Sequence, residues 1–377
     1  MSLLNQDWEV KALDDLDPKG LEQVSDFFNT HFPNVFYPKC TPEIFEWKLG
    51  STNPAGRGFL TVALSHGKVV GTASGTRKKL FENGQSFVGM EIGDTFTHPD
   101  FRKHGKCITP KTSTGIEDEY FTVSVFGRLV SETIARAQIN DVKFVYGTPN
   151  ENSRPPYLKR LKFKEISNGE IFSNVLITSK FLSPQSARWL LSIYESIIKL
   201  FAGFLSYATL GRNSISEISS DGFLKICEKG FYQNNPVSGK IYLENNYTIL
   251  RHRYVEHPNY EYRFFQVSIE GIGVGVIVTT EILRPSGTLS FVISDWFFSE
   301  EGMNKNIELF ISKMRKYNNS AAIISYWNLG RHNSFRNILL GIYPRKKIDV
   351  ISKDFRDSIQ ARESEFGDFH IGWSDNG

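Results

Sequence analysis

The sequence is poor in the residues that mark several common classes of protein. Among 377 residues it has only three cysteines, which lie far apart and form no CxxC pair: Cys40, Cys107 and Cys227. This spacing excludes a disulfide framework and a zinc site built on paired cysteines, so a reducing cytoplasm is the simplest location. His66, His98 and His104 lack acidic or cysteine partners at metal-ligand spacing, and no metal site is expected.

Charge of one sign and long apolar runs are also scarce. Lys and Arg number 44 against 41 Asp and Glu, a net charge of +3, whereas a dedicated nucleic-acid-binding protein usually carries a basic stripe. The most apolar stretch, residues 187–205, is interrupted by Glu195 and Lys199, and a membrane span needs about 20 largely uncharged residues. We therefore expect no nucleic-acid partner and no membrane span, and the first residues show no signal-peptide pattern.

The 187–205 stretch nevertheless predicts a helix. Glu195 and Lys199 are four residues apart, which is a salt-bridge spacing on a helix, and the remaining positions are mostly apolar. We expect a linker helix that is buried between two domains. The alternative is a helix that contacts a membrane surface with its apolar side.

The chain contains an internal repeat. Residues 45–71 and 249–275 align without a gap, and three punctuating residues of the first copy coincide with three of the second: Pro54, Gly67 and Gly71 with Pro258, Gly271 and Gly275. Each copy predicts a helix end, a proline turn, a strand, a glycine-bearing hairpin and a further strand. A match of this kind indicates duplication of a structural unit.

The repeat continues more weakly towards the carboxyl terminus. Residues 293–298 are similar to the strand that carries Asp94, residues 303–317 predict the helix that follows it, and residues 321–328 resemble residues 142–150. Two differences indicate that the second copy has lost its chemistry. Glu300 and Glu301 replace a basic turn, where they would repel a phosphate group, and Phe335 replaces Tyr157.

One stretch of the first copy has the pattern of a phosphate-binding turn. An apolar-leaning strand, residues 91–97, is followed by the basic turn Arg102-Lys103-His104-Gly105. Residues 106–124 look like an insertion, and a helix then begins at Val125-Phe126-Gly127. A turn of this kind presents backbone N–H groups and the positive end of a helix to a pyrophosphate.

A second strand and a polar segment complete this pattern: Val145-Tyr146-Gly147, then Asn150, Ser153 and Tyr157. In the order strand, basic turn, helix, strand, Asn and Tyr, the chain resembles the acyl-CoA site of the GNAT superfamily of N-acetyltransferases. The resemblance covers residues 8–180 well and residues 215–355 more weakly. Arg102 and Gly105 keep the Arg-x-x-Gly spacing of the family's phosphate-binding turn. The insertion at 106–124 separates this turn from the helix that begins at Val125.

The resemblance implies an α/β (α+β) fold with two tandem GNAT-like domains, each a mixed, mostly antiparallel sheet flanked by helices. We expect an acyl-CoA-binding domain at residues 1–183, a linker helix at 184–214 and a degenerate GNAT-like domain at 215–377. The second domain would form one wall of the acceptor site or stabilise the fold.

The resemblance also implies roles for particular residues. Acetyl-CoA or another acyl-CoA would be the co-substrate, and the residues expected to bind it are Phe96, Thr97, Arg102, Lys103, His104, Gly105, Val125, Phe126, Gly127, Asn150 and Ser153. The Tyr157 hydroxyl would protonate the leaving thiolate. Glu91 and Asp94 are candidates for the base that deprotonates the amine, and Asp94 has the opposite strand parity unless a bulge intervenes.

The function implied is transfer of an acyl group from acyl-CoA to a small amine acceptor. Proteins of this appearance often occur with bacterial polysaccharide biosynthesis, which suggests a nucleotide-linked amino sugar as the acceptor. Three alternatives stay open: a relative of the aminoacyl-tRNA-dependent peptidyltransferases, a non-catalytic CoA-binding or scaffold protein, and an acyltransferase that acts on a protein or another small amine.

Overall fold

The computed structural model describes residues 7–14, 17–31, 40–102, 124–175, 193, 196–197, 200, 213–228, 240–283, 289–298, 323–328, 342–355 and 365–366. The described part of the first half has six strands and four helices, in the order β1 (Glu9–Ala12), α1 (Pro18–His31), α2 (Pro42–Leu49), β2 (Phe59–Ser65), β3 (Lys68–Glu82), β4 (Gln85–Thr97), α3 (Val125–Ile139), β5 (Phe144–Gly147), α4 (Arg154–Lys159) and β6 (Lys164–Val175). A short 3-10 turn, Pro99–Phe101, follows β4.

The described part of the second half follows the same plan. Its elements are β7 (Asn213–Ile218), α5 (Ser220–Glu228), β8 (Lys240–Leu243), α6 (Tyr247–Tyr254), β9 (Tyr262–Ile269), β10 (Ile272–Leu283), β11 (Leu289–Phe298), β12 (Ile323–Asn328), β13 (Ile342–Asp354) and β14 (Glu365–Phe366). The predicted α+β fold is therefore confirmed, with a large and mostly antiparallel sheet flanked by helices.

The two glycine-bearing hairpins that the repeat predicts are present. The turn between β2 and β3 has φ of 49° at His66 and 74° at Gly67, and the turn between β9 and β10 has φ of 50° at Glu270 and 84° at Gly271. Two successive positive φ values are typical of the tight turn that matches the twist of an antiparallel hairpin. In both hairpins the register then shifts by one residue, at equivalent positions in β3 and β10.

The sheet continues from one half of the chain into the other, which the sequence did not predict. Its strand order is β1-β2-β3-β4-β5-β13-β6-β12-β11-β10-β9-β7. The late strand β13 lies beside β5 of the first half, pairing Ile351 with Gly147, and β6 of the first half lies beside β12. The two repeats thus exchange their last strands, and neither sheet is complete without the other half of the chain.

Apolar side chains cover both faces of the first repeat's sheet. On one face α3 packs through Leu129, Val130 and Ile134 against the buried Met90 and Ile92 of β4. On the other face α1 and α2 pack against β2. Further along this sheet, β8 of the second half pairs antiparallel with the end of β3. Their apolar side chains form a cluster with β5: Leu80, Phe144, Tyr146, Ile241, Tyr242 and Leu243.

The predicted linker helix is described at only four positions. Residues 193, 196, 197 and 200 are helical, and the side chains of Ile193, Ile197 and Leu200 are 48%, 50% and 74% exposed. The expected burial between domains is therefore wrong for these three side chains, which share one helix face. Membrane-surface contact through residues 187–205 stays a prediction, as do the domain boundaries at 183 and 215.

Candidate active site

The structural feature that organises the candidate site is a bulge in β4 at Asp94. Thr72 of β3 pairs with Phe96, but Ser74 pairs with Gly93, so β4 carries one residue more than β3 between these pairs. Asp94 has a φ of 45°, a left-handed conformation that costs a residue with a side chain about 1–3 kcal/mol. A strained residue of this kind persists only where its surroundings hold it.

Three neighbours hold Asp94 in place. The Lys48 ammonium on α2 forms an ion pair with Asp94 Oδ2, and the Ser74 hydroxyl donates to the same oxygen at 2.5 Å. The Thr72 hydroxyl donates to the Asp94 carbonyl at 2.6 Å. The Lys48 side chain is 5% exposed and that of Asp94 13% exposed, so each charge stabilises the other in a partly desolvated site.

Strands β4 and β5 diverge next to this bulge. Their parallel pairing runs from Gly89 and Phe144 to Glu91 and Tyr146, whereas β4 continues beside β3 as far as Thr97. The residues directly after the last pair, Ile92 and Gly147, are still close: a Cβ on Gly147 would lie 2.9 Å from Ile92 Cγ2 and 3.1 Å from the Ile92 carbonyl oxygen. The fork therefore leaves the last part of β4 with one edge turned away from β5.

Tyr157 lies at the same bulge. Its side chain comes from the short helix α4 and packs edge-on against Phe126 and Phe163, with ring centroids at 5.3 and 5.1 Å. Its hydroxyl is 3.3 Å from the Thr95 hydroxyl. Burial raises the pKa of the Tyr157 phenol well above its usual value, so the phenol keeps its proton at neutral pH.

Glu91, the other candidate base, is buried in the sheet. Glu91 is 2% exposed and lies beside Thr76 of β3 and Tyr146 of β5. Its carboxylate forms an ion pair with Lys78 at 3.6 Å. Both carboxylates predicted from the sequence thus have a lysine partner on a neighbouring element: Glu91 pairs with Lys78 of β3, and Asp94 pairs with Lys48 of α2.

The end of β4 holds three of the residues predicted to bind acyl-CoA. The Phe96 ring packs against Phe27 of α1 with centroids 5.4 Å apart, and the Arg102 guanidinium lies 5.8 Å from the centre of that ring. Arg102 Nε donates to the Thr97 carbonyl at 3.3 Å. The Thr97 hydroxyl is buried and has no hydrogen-bond partner within the described parts of the chain.

The start of α3 is capped by the chain itself. The Ser124 hydroxyl accepts from the Gly127 N–H at 3.2 Å, so that donor is already used. Val125 is 1% exposed and packs into the core. Lys103, His104, Gly105 and nearly all of the predicted insertion lie outside the described residues.

Asn150 and Ser153 form a turn before α4. Asn150 Oδ1 accepts from the backbone N–H groups of Asn152 and Ser153, both at 3.0 Å, and from the Ser153 hydroxyl at 3.1 Å. These bonds fix the turn that delivers Tyr157 to the fork. The binding of acyl-CoA by Asn150 and Ser153 stays a prediction.

The second repeat has a bulge of its own on β11. Val278 pairs with Asp295 and Thr279 pairs with Ile293, which leaves Ser294 as the extra residue. Asp295 is 1% exposed, and it accepts a 2.6 Å hydrogen bond from the Tyr254 hydroxyl. Phe335 and the Glu300-Glu301 pair lie outside the described residues.

Sequence reasoning missed four members of this site, Lys48, Thr72, Ser74 and Thr95. Lys48 lies near the end of α2, between Trp47 and Leu49, and would ordinarily be expected in solvent, because lysine is rarely buried unless it is paired. The only available signal was its place at the helix end in the repeat. Thr72, Ser74 and Thr95 are ordinary strand residues whose role depends on the bulge.

Comparison of the sequence with known protein families and with curated proteins finds no match. Solved structures do share the fold. A GCN5-related N-acetyltransferase from Anabaena variabilis has 10% identity and a TM-score of 0.55, over 92% of this chain and 73% of that protein. Saccharomyces cerevisiae N-myristoyltransferase with bound myristoyl-CoA has 12% identity and a TM-score of 0.58, over 94% and 80%.

A tandem GNAT protein from the clavulanic acid biosynthesis pathway also shares the fold, with 11% identity and a TM-score of 0.54, over 93% of this chain and all of that protein. At such identities the likeness is one of fold. The chain therefore has the tandem GNAT-like α+β fold that the sequence predicted. Among the described residues, none of the helices combines the length and the apolarity that crossing a membrane requires.

Proposed function

We propose that the protein is an N-acyltransferase that moves an acyl group from acyl-CoA to an amine, and that the first repeat carries the reaction. The observation that supports this most is the Asp94 bulge beside the β4–β5 fork. It brings a strained carboxylate and the buried Tyr157 phenol to one place. Strain held by several neighbours is typical of functional sites rather than of surface strands.

The end of β4 suits the donor. Beyond Glu91 the strand is not paired with β5, so its edge can pair with the amide groups of a pantetheine arm. The Thr97 hydroxyl, buried and without a described partner, is a polar group that such a ligand could satisfy. Arg102 follows the strand and provides a positive charge for a phosphate. Acyl-CoA supplies the thioester, which is the activated acyl group.

Asp94 is the base we favour. The two side-chain bonds described for it, from Lys48 and from Ser74, both end on Oδ2. Oδ1 remains to accept a proton from the attacking amine, directly or through water. Glu91 is the second candidate, and its position within the β3–β4–β5 ladder makes it less accessible to an amine.

Tyr157 would act on the leaving thiolate. A phenol whose pKa is raised by burial holds its proton more tightly than a thiol, whose usual pKa is about 8.5. The Tyr157 hydroxyl would therefore donate a hydrogen bond to the departing sulfur, and complete proton transfer is unfavourable. Its contribution should lie near the lower end of the 100–10,000-fold range that is usual for such groups.

The acceptor we propose is a small-molecule amine, with a nucleotide-linked amino sugar of polysaccharide biosynthesis as the specific suggestion, and the cytoplasm as the location. A protein or another small amine is the alternative acceptor. Peptidyl transfer from aminoacyl-tRNA has less support, since the net charge of +3 provides little for tRNA.

Two measurements test this function. Calorimetric titration with acetyl-CoA should give one site per chain, and release of free CoA should depend on an added amine. Arg102→Ala should weaken acetyl-CoA binding by about 1–3 kcal/mol if the guanidinium contacts phosphate. Two sites per chain would assign donor binding to both repeats. If acetyl-CoA does not bind, the protein is not a CoA-dependent enzyme.

A further inference from the structure

A small cavity lies where the second repeat meets the first. Its volume is about 40 Å³, and its walls come from α2 and the loop after it, from β3, from β8 and from α6. A water molecule needs roughly 10–15 Å³ measured in this way, so the cavity could hold about three waters or one group such as a carboxylate or a phosphate. It is too small for a whole amine acceptor.

The walls of this cavity are basic. Among the described residues that line it, five are lysine or arginine, one is histidine and none is acidic: Lys48, Arg77, Lys78, Lys79, Arg253 and His252. Because successive side chains of a strand point to opposite faces of the sheet, the cationic residues of β3 do not all face the cavity. Lys78 faces the same side of the sheet as Thr76, whereas Lys79 is paired with Val88, which packs on the α3 side.

The cationic residues of the wall that strand alternation does not turn away are Lys48 and Lys78 from the first repeat and Arg253 from the second. Each has a carboxylate nearby: Lys48 pairs with Asp94, Lys78 with Glu91 at 3.6 Å, and Arg253 with Asp295 at 3.9 Å. These carboxylates lie on β4 and β11, and none of them lines the cavity. The space itself is bordered by the cationic partners.

The junction is held firmly. Trp47 Nε1 donates to the His252 carbonyl at 2.9 Å, and the two rings stack with centroids 4.9 Å apart. Asn53 donates to the Lys48 carbonyl at 2.7 Å. A rigid frame around a basic space lowers the entropy lost when a ligand binds.

We propose that this cavity binds an oxyanion, a carboxylate or a phosphate, held between Lys78 of the first repeat and Arg253 of the second. Lys48 and Lys78, which line the cavity, are also the partners of the two candidate bases. The oxyanion is then a group of the amine acceptor, placed so that the amine reaches β4. Only this assignment to the acceptor rests on the proposed acyl transfer. The second repeat contributes to substrate binding through Arg253.

Binding of inorganic phosphate and of acetate tests the site directly. Each anion is titrated into the full-length protein with CoA present at saturation, so that the donor site is occupied, and affinity is obtained from the rise in unfolding temperature. Lys78→Gln and Arg253→Gln should each weaken binding by about tenfold or more, as expected for a charge-assisted hydrogen bond. Lys78→Arg should retain it.

Lys79→Gln is the matched control, because it removes the same charge from the same strand but on the opposite face. It should bind like the parent. Arg253→Lys provides a charge-preserving variant if Arg253→Gln does not fold. Tighter binding of phosphate than of acetate would indicate a phosphorylated acceptor, and the reverse a carboxylated one. If neither anion binds, or if Lys79→Gln loses binding as much as Lys78→Gln, the proposal is wrong.

The outcomes separate this proposal from the proposed function. Anion binding that depends on Lys78 and Arg253, in a protein that binds no acetyl-CoA, would support the anion site and reject acyl transfer. Amine-dependent release of CoA, in a protein whose anion affinity is unaffected by both substitutions, would support acyl transfer and reject the anion site. If the donor site cannot be saturated with CoA, the anions are also titrated into Arg102→Ala. A loss of anion binding in that variant would place the anion at the phosphate end of the donor site and overturn the proposal.

Discussion

The two repeats place an aspartate at the bulge of corresponding strands, and they use it differently. Asp94 has a left-handed φ and a side chain that is 13% exposed, bound through one oxygen to Lys48 and Ser74. Asp295 is 1% exposed, with Tyr254 bonded to Oδ2 and the Trp296 N–H bonded to Oδ1. A carboxylate with both oxygens bonded in the core serves the fold, whereas one held by a single oxygen beside a fork can still accept a proton.

The largest effect should come from the first of these aspartates. Asp94→Asn keeps the size of the side chain but removes the base, so turnover of acetyl-CoA with an amine, per folded molecule, should fall by about 100–10,000-fold. The substitution also leaves the buried Lys48 without its carboxylate, so some loss of stability is expected as well. Acetyl-CoA affinity, measured by calorimetry, should change little, because the donor contacts lie further along β4. Glu91→Gln is the matched substitution, and a loss of activity confined to that variant would make Glu91 the base.

The second aspartate should matter for stability. Asp295→Asn leaves the buried Arg253 without its carboxylate at 3.9 Å, and removal of one partner of a buried pair costs about 3–5 kcal/mol. The free energy of unfolding, from denaturant titration, should fall by roughly this amount. Activity per folded molecule at saturating acceptor should be preserved. A stable but inactive Asp295→Asn protein would contradict the structural role.

Much of this contrast could be foreseen from the sequence, but its geometry could not. The glycine spacing and apolar alternation predicted both hairpins, which are present, whereas degeneracy of the second repeat, inferred from the loss of the basic turn, stays a prediction. The exchange of β6 and β13 was not predictable, since Ile351 pairs with Gly147 across some 200 residues and no local pattern encodes so distant a register.

The site shows the same division between local and distant information. The resemblance named Asp94 and Tyr157 as candidates because the motifs on which it rests are local in the sequence. The bulge that decides the orientation of Asp94 depends on Lys48, Thr72 and Ser74, which reach it from α2 and β3. Burial of Lys48 is a tertiary property, and its place at the helix end in the repeat is too weak a signal to predict it.

A matched pair of buried tyrosines sharpens the comparison. Tyr157→Phe should lower turnover by about 100-fold while costing little stability, because its hydrogen bond to Thr95 is long, at 3.3 Å. Tyr254→Phe should leave turnover nearly unchanged and lower the free energy of unfolding by about 1–3 kcal/mol, because it removes a 2.6 Å bond to the buried Asp295. Equal effects of the two substitutions on turnover would remove the distinction between the repeats.

The smallest expected effect is an alkaline loss of stability that both repeats share. Burial, aided by the Asp94 carboxylate, raises the pKa of the Cys40 thiol to about 11, and burial raises that of Cys227 to about 12. A raised folded-state pKa favours the neutral thiol, so this stability is fully present below the unfolded pKa near 9 and is lost as pH rises towards the folded value.

Between pH 9 and 10, each thiol should lower the free energy of unfolding by at most about 1.4 kcal/mol per pH unit, and by less where solvent screens it. Cys40→Ala and Cys227→Ala should each flatten the pH dependence of stability measured by urea unfolding. The effects of the two thiols should become distinguishable at higher pH, because the contribution of Cys40 ends near pH 11 and that of Cys227 continues to about pH 12. Because the Asp94 charge raises the pKa of Cys40, Asp94→Asn should lower the pKa of that thiol. The pH range over which Cys40 affects stability should then be narrower, with no change for Cys227. An identical slope in the parent and in both alanine variants would show that neither thiol is desolvated in the folded protein.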